Sequence, residues 1–399
     1  MLMQRRLRTP MPIDHLVVLM LENRSFDHLF GVMHQDDPNV DGLTGEETNP
    51  APDGTAVRVS FDANPVGDLK DPGHEFTDVA EQIFAANPEV PSMTGFVQNF
   101  ARYSNHPERI MKCFARDSLP VLRGLARNYV LCDAWFSSVP GPTSPNRMFA
   151  HGATSNGSID SNPLAWHGLR TIYEQLDRHG VSYKIYHNTG GSQLFSVDYL
   201  VDHQHGFEEY ANFAADCEHG RLPQYSFVEA RYTWDGDLPP TDMHPDADVR
   251  DGEALVREIY EAIRGNEALW RSTVFLIVFD EHGGTYDHVV PGPCTPTAQV
   301  SHNPPFGFDR LGLRVPAIIV SPLASPRVSH RQYEHSSIVA TIRKLFLHDA
   351  GEQPLGREAS ANTFDAELDL ADAPRTDVVG FSQHHWMPTL PKSLRHLVP

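Results

Sequence analysis

The sequence predicts an α/β protein built on a doubly wound, mostly parallel sheet with helices on both faces and long loop insertions. Six apolar runs have the length of single strands, and amphipathic patterns of helical period lie between them. Runs that are apolar on both faces are typical of the central strands of a covered parallel sheet. Strands that alternate with helices along a chain favour the doubly wound arrangement.

The elements follow one another in a regular order. The predicted strands are HLVVLML at 15–21, YVLCDAWF at 129–136, VSYKIYH at 181–187, YSFVEA at 225–230, TVFLIVFD at 273–280 and PAIIVSP at 316–322. The predicted helices are 118–127, 170–180, 251–270 and 336–346. In the longest of these helices, Leu255, Ile259 and Ile263 fall on one face, which is the pattern of a helix that packs against a sheet.

We expect a single domain over residues 1–399, because open α/β sheets with long insertions reach this length. Residues 32–112 are rich in Pro, Gly, Asp and Asn and show little periodicity, which predicts a loop or cap insertion. Residues 350–399 have a similar character and are predicted to form an irregular C-terminal segment.

The charge balance excludes one class of partner. Fifty-two acidic against 32 basic residues give a formal charge of -20, which repels nucleic-acid phosphates and anionic lipid surfaces. We therefore expect no nucleic-acid partner and no polybasic contact with lipid. The mean hydropathy of -0.38 and the absence of a long apolar run predict that no segment spans a membrane. No pattern in the sequence indicates an oligomeric state.

The N-terminal stretch and the cysteines bear on the compartment. MLMQRRLRTPMP lacks the apolar core of a signal peptide, so the chain as written is expected in the cytoplasm, or outside it if a signal has been removed. Cys113, Cys132, Cys217 and Cys294 are widely spaced, with no C-x-x-C pair to indicate a zinc cluster. We expect four buried thiols, with one or two disulfides if the protein is exported.

Two of the predicted strands end in acid-rich clusters. The first strand runs into Glu22 and Asn23, and the strand at 273–280 ends in Asp280 and Glu281. Ligands bind at the carboxyl ends of strands in open α/β sheets, so we expect these side chains to converge. Carboxylate and amide oxygens suit a hard or borderline divalent cation. Either cluster alone is equally compatible with a helix cap, but the two together favour a metal site.

A third polar segment, SSVPGPTSPNRMFAHGAT at 137–154, follows the strand at 129–136. A helix is expected to begin near Asn146, which would place Thr143 or Ser144 beside a helix N-terminus that favours anions. A hydroxyl beside a metal and such a helix end is the arrangement needed for attack on phosphorus. A capping Thr or Ser in a Pro-rich loop is the alternative interpretation of this segment taken alone.

Five segments resemble the successive signature blocks of the phosphoesterase family that contains bacterial phospholipases C, plant non-specific phospholipases C and acid phosphatase A. In chain order they are ENRSFDHLFG, PTSPNR, HPDADVRDGEALV, FDEHGGTYDHV and GLRVPAIIVSP, and they span about residues 13–346. The fold of this family is similar to that of alkaline phosphatases and sulfatases. The resemblance therefore implies an alkaline phosphatase-like fold and a metal-assisted phosphoester hydrolase.

The resemblance also implies roles for individual residues. Four positions match the metal ligands of the family: Glu22, Asn23, Asp280 and Glu281. The nucleophilic hydroxyl matches Thr143 best, and Ser144 is the alternative. The cofactor is expected to be a divalent metal ion, for which Ca, Mg, Mn and Zn are all candidates.

Several histidines complete the expected site. His244 matches the active-site histidine of the HP block, and His74 and His187 stand where similar proteins have active-site histidines. His282 and His288 follow the second acidic cluster and are expected to hydrogen bond to its metal ligands without binding the metal themselves.

The expected reaction is phospholipase C-type cleavage of a phospholipid diester. Thr143 attacks phosphorus, His244 protonates the leaving alcohol, and water hydrolyses the phosphothreonine intermediate. An acid phosphatase acting on small phosphomonoesters is the alternative. A catalytically silent metal- or phosphate-binding protein is less favoured, because every expected position is filled, and a sulfatase is disfavoured because the C/S-x-P-x-R motif is absent.

Overall fold

The computed structural model describes residues 13–67, 69–188, 191–348, 351–370, 374–377 and 379–381. The predicted lack of an export signal concerns residues 1–12, and parts of the predicted irregular segment 350–399 also lie outside the described residues. Within the described ranges, no helix combines the length and apolar character that crossing a bilayer requires.

The part of the chain that the structure describes contains fourteen strands. They are β1 (His15–Leu21), β2 (Thr48–Pro50), β3 (Ala56–Arg58), β4 (Val130–Cys132), β5 (Trp135–Phe136), β6 (Tyr183–His187), β7 (Phe207–Glu209), β8 (Tyr225–Glu229), β9 (Thr273–Phe279), β10 (Ser301–His302), β11 (Pro305–Phe306), β12 (Ala317–Val320), β13 (Arg327–Ser329) and β14 (Tyr333–Glu334).

Eight of these strands form one sheet in the order β13-β4-β12-β9-β1-β8-β6-β7. Five of its seven pairings are parallel, and β12 runs antiparallel to both of its neighbours. The prediction of a mostly parallel sheet is therefore confirmed. The remaining strands pair two by two, as β2 with β3, β5 with β14, and β10 with β11.

Eleven α-helices surround the sheet in the described ranges. They are α1 (Phe26–Phe30), α2 (Phe76–Phe84), α3 (Phe96–Phe100), α4 (Pro120–Asn128), α5 (Thr143–Gly152), α6 (Ile172–Arg178), α7 (Asp198–Asp202), α8 (Phe213–Glu218), α9 (Val249–Gly265), α10 (Glu267–Trp270) and α11 (Ser336–Ile342). Helices α4, α8, α9 and α10 pack together as one group, and α5, α6 and α11 as another. Tyr225 and Phe227 of β8 contact the second group through Tyr173 and His151. This is the predicted doubly wound arrangement.

The predicted elements are present, but most of their bounds differ by one to a few residues. The run at 129–136 splits into β4 and β5, because the chain turns at Asp133 and leaves the sheet. The helix predicted over 251–270 is interrupted at Asn266, whose side chain caps α10 by accepting from the Leu269 N–H. The helix expected near Asn146 begins at Thr143 instead, with Pro142 as the preceding residue.

The predicted insertion at 32–112 contains the β2–β3 pair and helices α2 and α3. Its apolar residues form a second, smaller cluster around Val79, Ile83, Phe96 and Phe100, separate from the main core. The helices of this segment are too short to show a clear apolar period in the sequence, and that is why the sequence alone did not indicate this cluster.

The four cysteines are free thiols in this structure. Cys113, Cys132 and Cys217 are buried as predicted, whereas Cys294 is half-buried.

Candidate active site

The two acidic clusters meet because β1 and β9 are parallel neighbours in the sheet. Leu21 is in register with Phe279, so the residues that follow each strand leave the sheet side by side. The Asn23 N–H donates to Asp280 Oδ1 at 3.1 Å. Asn23 has a φ of 57°, which turns the chain sharply after the strand. The predicted convergence of these side chains is what the structure shows.

Gly283 is required by this close approach. It has a φ of +61°, and a Cβ at this position would lie 2.2 Å from the main-chain oxygen of Asn23. A larger residue would therefore push apart the two loops that carry the acidic clusters.

Thr143 is the first residue of α5 and is brought to the same cluster. Its Oγ1 donates to Asn23 Oδ1 at 3.2 Å, and the residue is half-buried. The preceding loop is held by Asn146, whose side-chain amide donates to the carbonyls of Gly141 and Pro142. Because the loop is tied to the helix that it precedes, the position of the hydroxyl is set by rigid structure.

Ser144 occupies a different environment from its neighbour. It is buried, and its Oγ accepts a hydrogen bond from Trp166 Nε1 at 2.8 Å. The Ser144 hydroxyl is therefore engaged with an indole, whereas the Thr143 hydroxyl faces the acidic cluster. This geometry favours Thr143 over Ser144.

Arg147 is a central residue that the sequence reasoning did not single out. Its buried guanidinium donates from Nε to Asp280 Oδ2 at 3.1 Å, from Nη2 to Glu22 Oε1 at 3.2 Å and from Nη1 to the Tyr232 hydroxyl at 2.8 Å. It stands one helical turn after Thr143, so both side chains lie on the same face of α5. The four-residue spacing of Thr143 and Arg147 within PTSPNR is the feature of the sequence that could have indicated Arg147.

The cluster holds more negative than positive charge. Burial raises the pKa of Glu22 well above its usual range although Arg147 works in the opposite direction, and burial raises the pKa of Glu281 to about 8. With Asp280 the cluster has three carboxylates, and the Arg147 guanidinium pairs with two of them, Glu22 and Asp280. Buried carboxylates are costly without compensating positive charge.

These residues fit a divalent cation. Glu281 Oε1 and His74 Nδ1 are buried atoms without a hydrogen-bond partner among the described residues, and they lie 3.5 Å apart. Unsatisfied buried polar atoms need an explanation, and an ion is one of the recognised ones. The oxygens of Glu22, Asn23 and Glu281 supply the hard ligands that such an ion prefers.

His74 and His244 lie together at the edge of this cluster. Their ring centroids are 6.4 Å apart, and both face Asp71. The Nδ1 of His244 is paired with Asp246 Oδ1 at 2.6 Å, which leaves its Nε2 directed away from that carboxylate. The structure thus brings two of the three predicted histidines to the acidic cluster.

His187 lies farther from the others, at the end of β6 and two strands away from β1. Its ring contacts Phe195 and Phe207. Burial raises the pKa of the nearby Glu229, and the positive charges of Arg147 and His187 both act to lower it. The role assigned to His187 stays a prediction.

Two buried imidazoles support the acidic cluster. His282 Nε2 is hydrogen bonded to Gln82 Oε1 at 2.7 Å, and burial lowers the pKa of His282 to about 3, so the ring is neutral. The Nε2 of His335 bonds the main-chain oxygen of Asp280 at 2.6 Å, and Trp135 Nε1 donates to its Nδ1. No pattern in the sequence could have indicated His335, because it reaches Asp280 only through the tertiary fold.

A second group of charged residues, Asp27, Asp287 and His288, has the spacing of a metal site. The Arg314 guanidinium, however, donates to Asp287 Oδ1 and Asp27 Oδ1, both at 2.9 Å, and His288 Nδ1 bonds Asp27 Oδ2 at 2.6 Å. Two cationic side chains already satisfy these carboxylates, so we interpret the group as a structural ion-pair network. His288 therefore contacts Asp27 and not the metal-ligand candidates it was expected to support.

This network predicts a pH dependence of stability. Burial alone lowers the pKa of His288, but the charge and hydrogen bond of Asp27 outweigh it and raise the pKa to about 9. The ordinary histidine value is about 6.5. The stabilisation is therefore fully present below about pH 6.5 and is lost as the pH rises towards 9. We expect a loss on the order of 2 kcal/mol in the free energy of unfolding across this interval.

Urea unfolding at pH 6.5 and pH 9 measures this loss, with His288→Gln as the matched variant. The variant should lose less stability than the wild type between the two pH values. An equal loss in both proteins would show that other groups cause the pH dependence.

Two cavities meet at Glu22. The larger one, here the Tyr232 cavity, has a volume of about 470 Å³ and is also lined by Asp242 and His244. The smaller one, here the Trp166 cavity, has a volume of about 350 Å³ and is lined by Thr143 and Ser144. The hydroxyl of Thr143 therefore faces a cleft with two branches.

Comparisons with known proteins give a consistent result. A sequence profile described as the Phosphoesterase family matches residues 13–347. Non-specific phospholipase C6 from Arabidopsis thaliana is 39% identical over 393 residues, which cover 92% of this chain and 74% of that protein. Phospholipase C B from Mycobacterium tuberculosis is 28% identical over 422 residues, which cover 91% of this chain and 78% of that protein.

Among solved structures, the lipoteichoic acid synthase LtaP from Listeria monocytogenes is similar at 11% identity. The match covers 86% of this chain and 75% of that one, with a TM-score of 0.42. At this TM-score the likeness supports no argument about function.

Proposed function

This chain belongs to the phosphoesterase family and is a phosphoric ester hydrolase, and we propose that it cleaves phospholipid diesters in a metal-dependent, phospholipase C-type reaction. The observation that carries this proposal is the Thr143 hydroxyl, bonded to Asn23 beside three buried carboxylates and exposed to a two-branched cleft. Plant and bacterial relatives named as phospholipases C support the choice of substrate.

Thr143 is the proposed nucleophile. Its Oγ1 gives its proton to solvent and attacks phosphorus in line with the leaving alcohol, so that an oxygen–phosphorus bond forms as the bond to the alcohol breaks. The free backbone N–H groups at the start of α5 favour the negative charge on the phosphoryl oxygens. Water then hydrolyses the phosphothreonine and returns a proton to Thr143.

Four residues would hold the divalent cation: Glu22, Asn23, Asp280 and Glu281. When bound, such a cation supplies positive charge that stabilises phosphoryl oxygens and lowers the pKa of a neighbouring hydroxyl. Arg147 orients Glu22 and Asp280, since it donates a hydrogen bond to each of them. His335 fixes the main chain at Asp280 from the opposite side.

His244 is the proposed general acid. Asp246 binds its Nδ1 and so fixes the ring, which leaves Nε2 to give a proton to the leaving alcohol. For a phospholipid this alcohol is diacylglycerol, and the phosphorylated head group stays on Thr143 until water releases it. His74, whose Nδ1 lies 3.5 Å from Glu281 Oε1, is the residue proposed to hold the attacking water.

The two branches of the cleft favour a diester over a monoester. A diester needs space for a substituent on each side of phosphorus, and the Tyr232 and Trp166 cavities both reach Glu22 but share no other lining residue. A monoester needs only one of them. Diester hydrolysis is therefore the main proposal, and acid phosphatase activity is the alternative that the following experiment distinguishes from it.

Hydrolysis of p-nitrophenylphosphorylcholine and p-nitrophenyl phosphate, measured side by side, tests this function. We expect turnover of the diester, a loss of about 100-fold or more after treatment with a chelator, and recovery when a divalent ion is added back. Monoester turnover alone would favour the phosphatase, and diester turnover that survives chelation would contradict the metal dependence.

A further inference from the structure

Exposed apolar side chains concentrate around the cleft. Among the described residues, ten large apolar side chains are exposed, and five of these border the Tyr232 and Trp166 cavities. These five residues, here called the apolar rim, are Val66, Leu164, Phe195, Trp234 and Leu238. Single exposed apolar residues are ordinary on a protein surface, whereas a group around one opening is typical of an interaction site.

On the Tyr232 side, Val66 and Trp234 line the cavity itself. Leu238 is 51% exposed and closes a tight turn, in which the backbones of Asp235 and Leu238 exchange two hydrogen bonds. A turn that is closed in this way presents its apolar side chain rigidly to the solvent.

On the Trp166 side, Leu164 is 69% exposed and Phe195 is 43% exposed. Each stands next to a residue that lines the cavity, Pro163 for Leu164 and Ser196 for Phe195. The short turns that carry them pack against each other. The apolar rim therefore borders both branches of the cleft that Thr143 faces.

We propose that the apolar rim docks this protein on a zwitterionic phospholipid bilayer with its cleft facing the membrane surface. This inference rests on the proposed function, because a docked cleft matters only if the substrate is a membrane lipid. Apolar side chains at an interface gain free energy by leaving water for the acyl boundary. Such docking brings Glu22 and Thr143 next to the head groups.

The charge of the rim selects the kind of membrane. Asp235 and Asp237 flank Trp234 and Leu238, and Asp242 lines the adjoining cavity. The whole chain has a formal charge of -20. These carboxylates oppose an anionic bilayer, but they complement the outward ammonium groups of phosphatidylcholine. Attachment must therefore come from apolar contact with a neutral surface.

Co-sedimentation with phosphatidylcholine vesicles tests the docking. The variant is the triple substitution Leu164→Ser, Phe195→Ser and Leu238→Ser, and Thr143→Ala is added to every protein so that the vesicles are not consumed. We expect the triple variant to bind vesicles roughly tenfold less tightly or weaker. Binding equal to that of the parent would overturn the inference.

Two controls sharpen the result. Val90→Ser with Val290→Ser removes two exposed apolar side chains that line neither cavity, and this protein should bind vesicles within about twofold of the parent. Phosphatidylglycerol vesicles should bind the parent less tightly than phosphatidylcholine vesicles do. Equal losses in the two variants, or tighter binding to the anionic vesicles, would contradict the proposed surface.

A soluble substrate separates this inference from the proposed function. With Thr143 intact, the triple variant should hydrolyse p-nitrophenylphosphorylcholine at the wild-type rate, while its hydrolysis of phosphatidylcholine vesicles falls in proportion to binding. If the wild type fails on the soluble diester, the proposed function fails, whatever the vesicles show. If soluble turnover is normal and vesicle hydrolysis is unchanged in the triple variant, only the docking inference fails.

Discussion

Replacing Thr143 with Ala is expected to lower turnover of p-nitrophenylphosphorylcholine by roughly 10³-fold or more, because the hydroxyl that forms the bond to phosphorus is lost. Thr143→Ser keeps a hydroxyl at the same place and should retain measurable turnover. Initial rates at saturating substrate measure the effect. Acid quenching of the wild type during turnover of this diester should also trap phosphorylcholine on the peptide that contains Thr143.

Ser144→Ala is the matched control for this prediction. It should leave turnover within about tenfold of the wild type, since the Ser144 hydroxyl is bonded to Trp166 and not to the acidic cluster. It should instead lower the free energy of unfolding by about 1–3 kcal/mol, because the buried indole N–H loses its acceptor. If Ser144→Ala abolished turnover and Thr143→Ala did not, the nucleophile would be Ser144.

Replacing Arg314 with Met is expected to lower the free energy of unfolding by about 3–5 kcal/mol. The guanidinium bonds Asp27 and Asp287, and its removal leaves two buried carboxylates next to each other. Burial already raises the pKa of Asp287 to about 6 even with Arg314 present. The carboxylates can take up protons at low pH, so the destabilisation should be larger at pH 8 than at pH 5.

Urea unfolding at these two pH values measures the effect. Arg271→Met is the matched control. Arg271 pairs with Glu267 on the exposed surface, and this pair should contribute less than about 1 kcal/mol to the free energy of unfolding. Adding Asp27→Asn and Asp287→Asn to Arg314→Met should restore part of the stability, since the two buried carboxylates that Arg314 pairs with are then neutral amides. A loss that is independent of pH would indicate that Arg314 acts by packing, and the charge argument would be wrong.

The main parts of the fold could be predicted from the sequence because its strands are central and therefore apolar on both faces. HLVVLML became β1 with its predicted bounds, and TVFLIVFD became β9, which ends one residue earlier than predicted, at Phe279. The edge strands β7 and β13 were missed, because short edge strands lack a continuous apolar run. The second apolar cluster at 32–112 was missed for a similar reason, since its helices are too short to show a clear period.

The candidate site could be predicted in part. Glu22, Asn23, Asp280 and Glu281 were found because polar residues directly after buried strands are visible in the sequence. Arg147 was overlooked, although it stands one turn after the proposed nucleophile on the same helix. Its significance depends on two carboxylates that come from distant parts of the chain.

Most of the strands and helices, and the polar residues at the strand ends, could be predicted from the sequence, because local periodicity and composition encode these features. The different surroundings of Thr143 and Ser144, which have almost the same sequence neighbours, depend on the tertiary structure. The packing of Trp166 engages one hydroxyl, and the approach of Asn23 orients the other. Such contacts join residues far apart in the chain, and no local pattern records them.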